Sequence, residues 1–228
     1  MADVSLPLLL LALAPGVFWL VYFYSRDRYE PEPLSWVLTV YLLGMAVTMP
    51  VAILEGGLEL ATGSFITAIL VAPVVEELAK YLVVRKTVYE SQEFDEPVDG
   101  IVYAAAAGLG FATLENVIYV FSSYQESLVL ALETGLLRGV LSVPGHVLFS
   151  AMWGYALGQA RFLPVRRGKA VIFQGLLIAM AAHALFNFLL ISDLGFAILA
   201  LVVVPALWIA VHRRIRTSLE ESSFRQYR

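Results

Sequence analysis

SLPLLLLALAPGVFWLVYFYS, Ser5 to Ser25, carries no charged side chain, and neither does FAILALVVVPALWIAV, Phe196 to Val211. A helix needs about 20 apolar residues to cross the hydrocarbon layer, where lipid offers its backbone groups no hydrogen-bond partner. The first run has that length, and further runs of the same kind lie between the two. Composition agrees: 60% of the 228 residues are hydrophobic and 15% charged, against about 45–50% and about 25% in a soluble domain. The chain therefore reads as all-α, a polytopic transmembrane bundle forming one integral membrane domain over residues 1–228. About seven spans are expected, near 5–24, 34–54, 64–85, 98–122, 139–160, 170–190 and 194–212.

The breaks between spans are charged and punctuated by proline. Arg26-Asp27-Arg28-Tyr29-Glu30-Pro31-Glu32-Pro33 is one loop, and Glu90 to Pro97 is a second. A third, around Pro164 to Lys169, holds Arg166, Arg167 and Lys169, while residues 123–138 read as a surface helix or loop. The first run lacks a basic start and a small-residue cleavage site, so it reads as a helix that stays. Cysteine is absent, which removes disulfides, thiolate metal sites and a cysteine nucleophile. Thirteen of the fifteen lysines and arginines fall on alternate connections and the tail, the exceptions being Lys80 inside a span and Arg138 at the start of one. That asymmetry needs an odd number of spans and predicts an outside N-terminus and a cytoplasmic C-terminus. A multi-pass protein of the cell membrane is expected, with the lipid bilayer as its surroundings and no nucleic-acid partner.

Ionisable side chains inside the spans are the exceptions that need explaining. Each costs ~2.5–3.5 kcal/mol near the bilayer centre on insertion scales. The third span carries Glu76, Glu77 and Lys80, the fourth Glu115 beside Asn116, the fifth His146, and the sixth His183 with Asn187. At 1.5 Å per residue, Glu115, His146 and His183 each lie about seven residues, ~10 Å, from the outer ends of their spans. Three potential ligands thus share a level, with Glu76 and Glu77 one or two turns deeper unless Pro73 kinks their helix. Helical spacing places Glu76 with Lys80, Phe111 with Glu115, His146 with Ser150, and His183 with Asn187 on common faces. Small residues, Ala104 to Gly108, Gly110, Gly154 and Gly158, allow close helix approach. Blander readings stand beside these. Glu76 and Lys80 can be a structural ion pair, and a lone intramembrane His an interhelical hydrogen bond. Glu115 has no basic partner expected at its depth. Glu55 and Glu59 read as solvated, His212 as interfacial, and Trp19, Trp36, Trp153 and Trp208 as belt and packing.

The motifs Glu76-Glu77-Leu78-Ala79-Lys80, Asp99-Gly100-Ile101-Val102-Tyr103 leading to Phe111-Ala112-Thr113-Leu114-Glu115-Asn116, Pro144-Gly145-His146, and His183-Ala184-Leu185-Phe186-Asn187 occur in this order on four spans. Together they resemble the PrsW family of intramembrane proteases, distant relatives of the CAAX prenyl endopeptidases, over about residues 20–190. The resemblance implies peptide hydrolysis within the membrane, on a membrane-anchored substrate of the anti-sigma-factor kind.

Two mechanisms are compatible with these residues. In the first, zinc is held by Glu115, His146 and His183, with the fourth position open to water. Glu76 or Glu77 is then the base, Lys80 keeps the other carboxylate ionised, and Asn187 donates to the oxyanion. In the second, the Glu76–Glu77 pair activates water without metal, and His183 and Asn187 are the oxyanion donors. Rivals of another class are a proton-coupled transporter using the same Glu, Lys and His, and a non-catalytic binder of membrane proteins. No inverted repeat or matching pair of broken helices supports the transporter.

Overall fold

In a computed structural model, which describes residues 4–227, seven helices account for nearly all of the chain. They are α1 (Ser5–Tyr24), α2 (Leu34–Thr62), α3 (residues 64–87), α4 (Asp99–Glu126), α5 (Leu128–Arg161), α6 (Val165–Leu189) and α7 (Asp193–Glu220). A short 3₁₀ turn, Ser223–Tyr227, follows. Arg228, one of the thirteen basic residues, lies outside the described residues. Six of the helices are long and apolar enough to cross a membrane. The remaining one, α3, differs in carrying Glu76, Glu77 and Lys80, all three buried in the bundle. The protein is a multi-pass membrane protein.

Residues 123–138 complete α4 and open α5 around one extended residue, Ser127. Its hydroxyl accepts from the Leu130 N–H at 3.1 Å, a cap that starts the next helix. Pro33 and Pro164 stand immediately before α2 and α6, where a missing N–H is harmless. Three internal prolines have a different consequence. Pro73, Pro144 and Pro205 each follow a five-residue π-helical turn: Thr67–Val71 in α3, Arg138–Ser142 in α5 and Leu199–Val203 in α7. Proline lacks an N–H and crowds the carbonyl four residues back. A locally wider turn relieves that crowding, with Ala72, Val143 and Val204 bonding back five residues instead of four. All three helices begin at the same end of the bundle.

Helix α4 is the axis, with every residue from Asp99 to Thr113 buried. Its alanines and glycines let α1, α2 and α5 lie directly on its backbone. A Cβ added at Gly154 of α5 would sit 2.5 Å from both the Ala104 Cβ and the Gly100 carbonyl oxygen. No larger residue fits that crossing without moving a helix, which is the small-residue packing the sequence indicated.

Candidate active site

Around Lys80 the ionisable residues of α3, α4, α5 and α6 converge. The lysine is fully buried, and its ammonium lies 3.0 Å from Glu76 Oε2, 2.8 Å from Glu77 Oε1 and 2.8 Å from His146 Nδ1. The Phe111 ring closes the fourth side, its centroid 4.3 Å away. An intramembrane cation is tolerable because three acceptors and a ring face replace its water.

The adjacent glutamates differ. Glu77 is fully enclosed, and besides Lys80 its Oε2 accepts from Ser150 Oγ at 3.1 Å and Trp153 Nε1 at 2.9 Å. Glu76 borders a cavity of about 700 Å³ that Glu115, Arg138, His146, His183 and Asn187 also line. One carboxylate is thus fixed by donors and the other faces open space. This division follows from the ~100° between successive residues on a helix.

His146 joins two levels. Its Nδ1 meets Lys80, while its Nε2 lies 2.9 Å from Glu115 Oε2. A neutral imidazole has one N–H and one lone pair. Facing a carboxylate and an ammonium, it donates from Nε2 and accepts at Nδ1. The offset expected between the Glu76–Glu77 pair and the other groups is therefore closed: Glu76 Oε2 comes within 3.6 Å of His146 Nδ1. His183 stacks on Phe149 at 4.6 Å, with its Nδ1 3.3 Å from Glu77 Oε1 but outside hydrogen-bond geometry, so this buried nitrogen has no hydrogen-bond partner.

Several expectations are corrected. Glu115 does have a basic partner, since Arg138 Nη2 lies 2.8 Å from its Oε2, and Arg138 Nε also reaches Asn116 Oδ1 at 3.1 Å. The unbroken course of α5 from residue 128 brings Arg138 into the bundle two turns before His146. Trp153 is not belt or mere packing: it is fully buried and donates to Glu77, from the same face as His146 and Ser150. The 146–150–153 spacing was the signal for it. Glu55, read as solvated, is half-buried at the cavity wall with an unpartnered oxygen. Asn187 lines the cavity but donates to the Ala68 carbonyl at 2.8 Å, inside the first π-turn.

Metal-ligand geometry can be tested directly. The trio expected from the sequence was Glu115, His146 and His183; the trio whose donor atoms all lie within 4.8 Å of one another is Glu76, His146 and His183. Two imidazoles and a carboxylate are a zinc-type donor set, and the partnerless Nδ1 of His183 is a donor atom awaiting an acceptor. The residues fit a metal, with one condition. Were His146 to offer Nδ1, the Lys80 ammonium that now holds that lone pair would have to move aside.

The fold and this centre define a class: a polytopic membrane bundle with buried acid, base and imidazole groups on the floor of a cavity between its helices. The family model described as "PrsW family intramembrane metalloprotease" matches residues 32–211. The chain is 36% identical over 207 residues to Protease PrsW of Geobacillus kaustophilus (strain HTA426), covering 90% of this chain and 88% of that protein. It is likewise similar to Protease PrsW of Clostridioides difficile (strain 630), 36% identical with 90% and 88% covered, and of Bacillus subtilis (strain 168), 34% identical with 78% and 80% covered. The chain belongs to the PrsW family of intramembrane metalloproteases. No solved structure matches it.

Proposed function

We propose that this protein is an intramembrane endopeptidase that hydrolyses membrane-anchored proteins in the cavity bordered by Glu76, His146 and His183. The charge asymmetry of the loops supports placing that cavity in the outer half of the bilayer, with the N-terminus outside and the C-terminus in the cytoplasm. The observation that carries the reading is the donor trio facing a space large enough for an extended peptide segment. Zinc would be held by His146, His183 and one carboxylate; when bound it supplies Lewis-acid polarisation of the scissile carbonyl and a more acidic water.

The roles of the protein groups follow from their surroundings. Glu77 is the fixed acceptor that holds Lys80 and orients the floor. Glu76 and Glu115 both face the cavity, so one serves as third ligand and the other as the group that takes the water's proton. The trio favours Glu76 as ligand, the reverse of the sequence-based assignment. Asn187, which lines the cavity and spends one amide hydrogen on the Ala68 carbonyl, would donate the other to the developing oxyanion, joined by His183 only in the metal-free reading. Membrane-anchored proteins of the anti-sigma-factor type are the substrate class that the family resemblance favours. One observation supports a second, metal-free reading. The Lys80 ammonium already sits as a cation among Glu76, Glu77 and His146, leaving Glu76 to act on water directly.

Cleavage of a model membrane peptide and zinc content, measured together for Glu76→Gln, Glu77→Gln and Glu115→Gln, decide among these. The expected base variant loses cleavage and keeps zinc, whereas the ligand variant loses both. Full cleavage in both Glu76→Gln and Glu77→Gln removes the peptidase reading, and metal-free protein active in a strong chelator establishes the second mechanism.

A further inference from the structure

At the opposite end of the bundle from the cavity, three acids from two distant parts of the chain are buried side by side. Asp27 belongs to the α1–α2 loop, Glu96 to the α3–α4 loop, and Asp99 to the first turn of α4; their exposures are 4%, 0% and 1%. One oxygen of each is accounted for. Asp27 Oδ2 accepts from the Glu32 N–H at 3.2 Å, and Asp99 Oδ2 from the N–H groups of Asp95 at 2.8 Å and Glu96 at 2.6 Å. Glu96 Oε1 accepts from the Ser222 hydroxyl. The second oxygens, Asp27 Oδ1, Glu96 Oε2 and Asp99 Oδ1, are buried with no hydrogen-bond partner. A fourth acid, Glu32, is 3% exposed and accepts from Tyr103 Oη beside them.

Burying one unpaired carboxylate costs several kcal/mol, and neighbouring like charges add to it. Buried acids this close, each left with one unpartnered oxygen, call for a positive occupant. Donor atoms of the three lie within 4.8 Å of one another. Oxygens on opposite sides of a calcium ion, bound at 2.3–2.6 Å, are separated by up to about 5 Å. We propose that Asp27, Glu96 and Asp99 form a second cation site, separate from the histidine centre, for a hard divalent ion such as Mg²⁺ or Ca²⁺. The donor set is oxygen only, with no imidazole or thiolate to favour zinc. Its consequence is structural: one ion ties both loops to the start of the axial helix α4, the helix that carries Glu115, with the chain after α7 added through Ser222.

Protons are the competing occupant. Burial pushes the Asp27 carboxyl up to about 7, with Glu96 adding to the rise, and burial pushes Glu32 up to about 8 against the hydrogen bond from Tyr103. The experiment separates the two. Bound Mn²⁺ is counted by electron paramagnetic resonance on the purified full chain in detergent, in a His183→Ala background that disables the other centre. About one Mn²⁺ per chain is expected, lost in Asp27→Asn and in Glu96→Gln. Displacement by Mg²⁺ or by Ca²⁺ at the lower concentration identifies the preferred ion. Glu96→Gln keeps an oxygen for Ser222, so it serves if Asp27→Asn does not fold. No bound Mn²⁺ in the background protein, or equal counts in background and variants, overturns the proposal and leaves shared protons as the occupant. Because the readout is ion binding, it stands or falls independently of peptide cleavage.

Discussion

Replacing Lys80 by Met keeps most of the length of the side chain, one atom short, and removes its charge from the centre of the site. The ammonium lies within 3.0 Å of Glu76, Glu77 and His146. A unit charge pair at that distance is worth roughly 5–6 kcal/mol at an effective dielectric near 20, before the cost of desolvation. Deleting one partner of a buried pair costs about 3–5 kcal/mol, because the orphaned charge stays behind. Here the lower end applies. Glu77 keeps Ser150 and Trp153 as donors, and Glu76 can draw water from the cavity. Lys80→Met is therefore expected to lose about 3 kcal/mol of stability. Adding Glu77→Gln removes the orphaned charge and recovers part of that loss, a coupling of about 1–3 kcal/mol. Thermal unfolding in detergent of wild type, both single variants and the double variant measures it. A Lys80→Met protein as stable as wild type, or strictly additive losses, refutes the view that Lys80 is the counter-charge of the site. The same variant frees the Nδ1 lone pair of His146, so under the metal reading its zinc occupancy rises.

Three further outcomes are expected. Trp153→Phe retains the ring but removes the 2.9 Å donor to Glu77; it should lower stability by about 1.5–3 kcal/mol, the range for hydrogen bonds to charged groups, read from the shift in unfolding midpoint. For Asp27, the folded protein holds its proton to about 7 against an ordinary value of 3.8, through burial first and the Glu96 charge next. The folded state therefore binds more protons than the unfolded one between those values, so stability present below pH 4 declines as pH rises toward 7. In a chelator the unfolding midpoint should fall between pH 5 and pH 7, and less steeply in Asp27→Asn. Reporters fused after Arg28, Lys86 and Lys169 should report cytoplasm, and those near Gly63 and Asp193 the exterior; an exterior signal at Lys169 refutes the orientation.

Much of this molecule is legible because lipid makes its rules strict. Uncharged runs bounded by Arg26–Pro33, Glu90–Pro97 and Pro164–Lys169 mark where helices begin and end. Any ionisable residue left inside a run must find partners, which is why Glu76, Glu77, Lys80, Glu115, His146 and His183 could be singled out. Partnership is harder to read. Arg138 looked like a boundary residue, yet a helix without a break carries it inward to Glu115. Trp153 has no charge to draw notice, and its role comes from which face of α5 it occupies. That Glu76 meets His146 was not legible either, because side-chain reach between helices is not encoded in the rise along either axis. The cluster of Asp27, Glu96 and Asp99 joins loops 60 or more residues apart in sequence, a proximity that no local spacing encodes.

The wide turns before Pro73, Pro144 and Pro205 bear on how force is carried through the protein. At each, one backbone hydrogen bond is lost to proline and its neighbours close over five residues. Bending is easiest there, and all three places lie in the half of the bundle where the cavity opens. In the other half, Gly100, Gly154 and Gly158 bring α4 and α5 into backbone contact, leaving little room to shear. The two ends thus differ in build, wide proline turns at one and glycine-mediated backbone contact at the other.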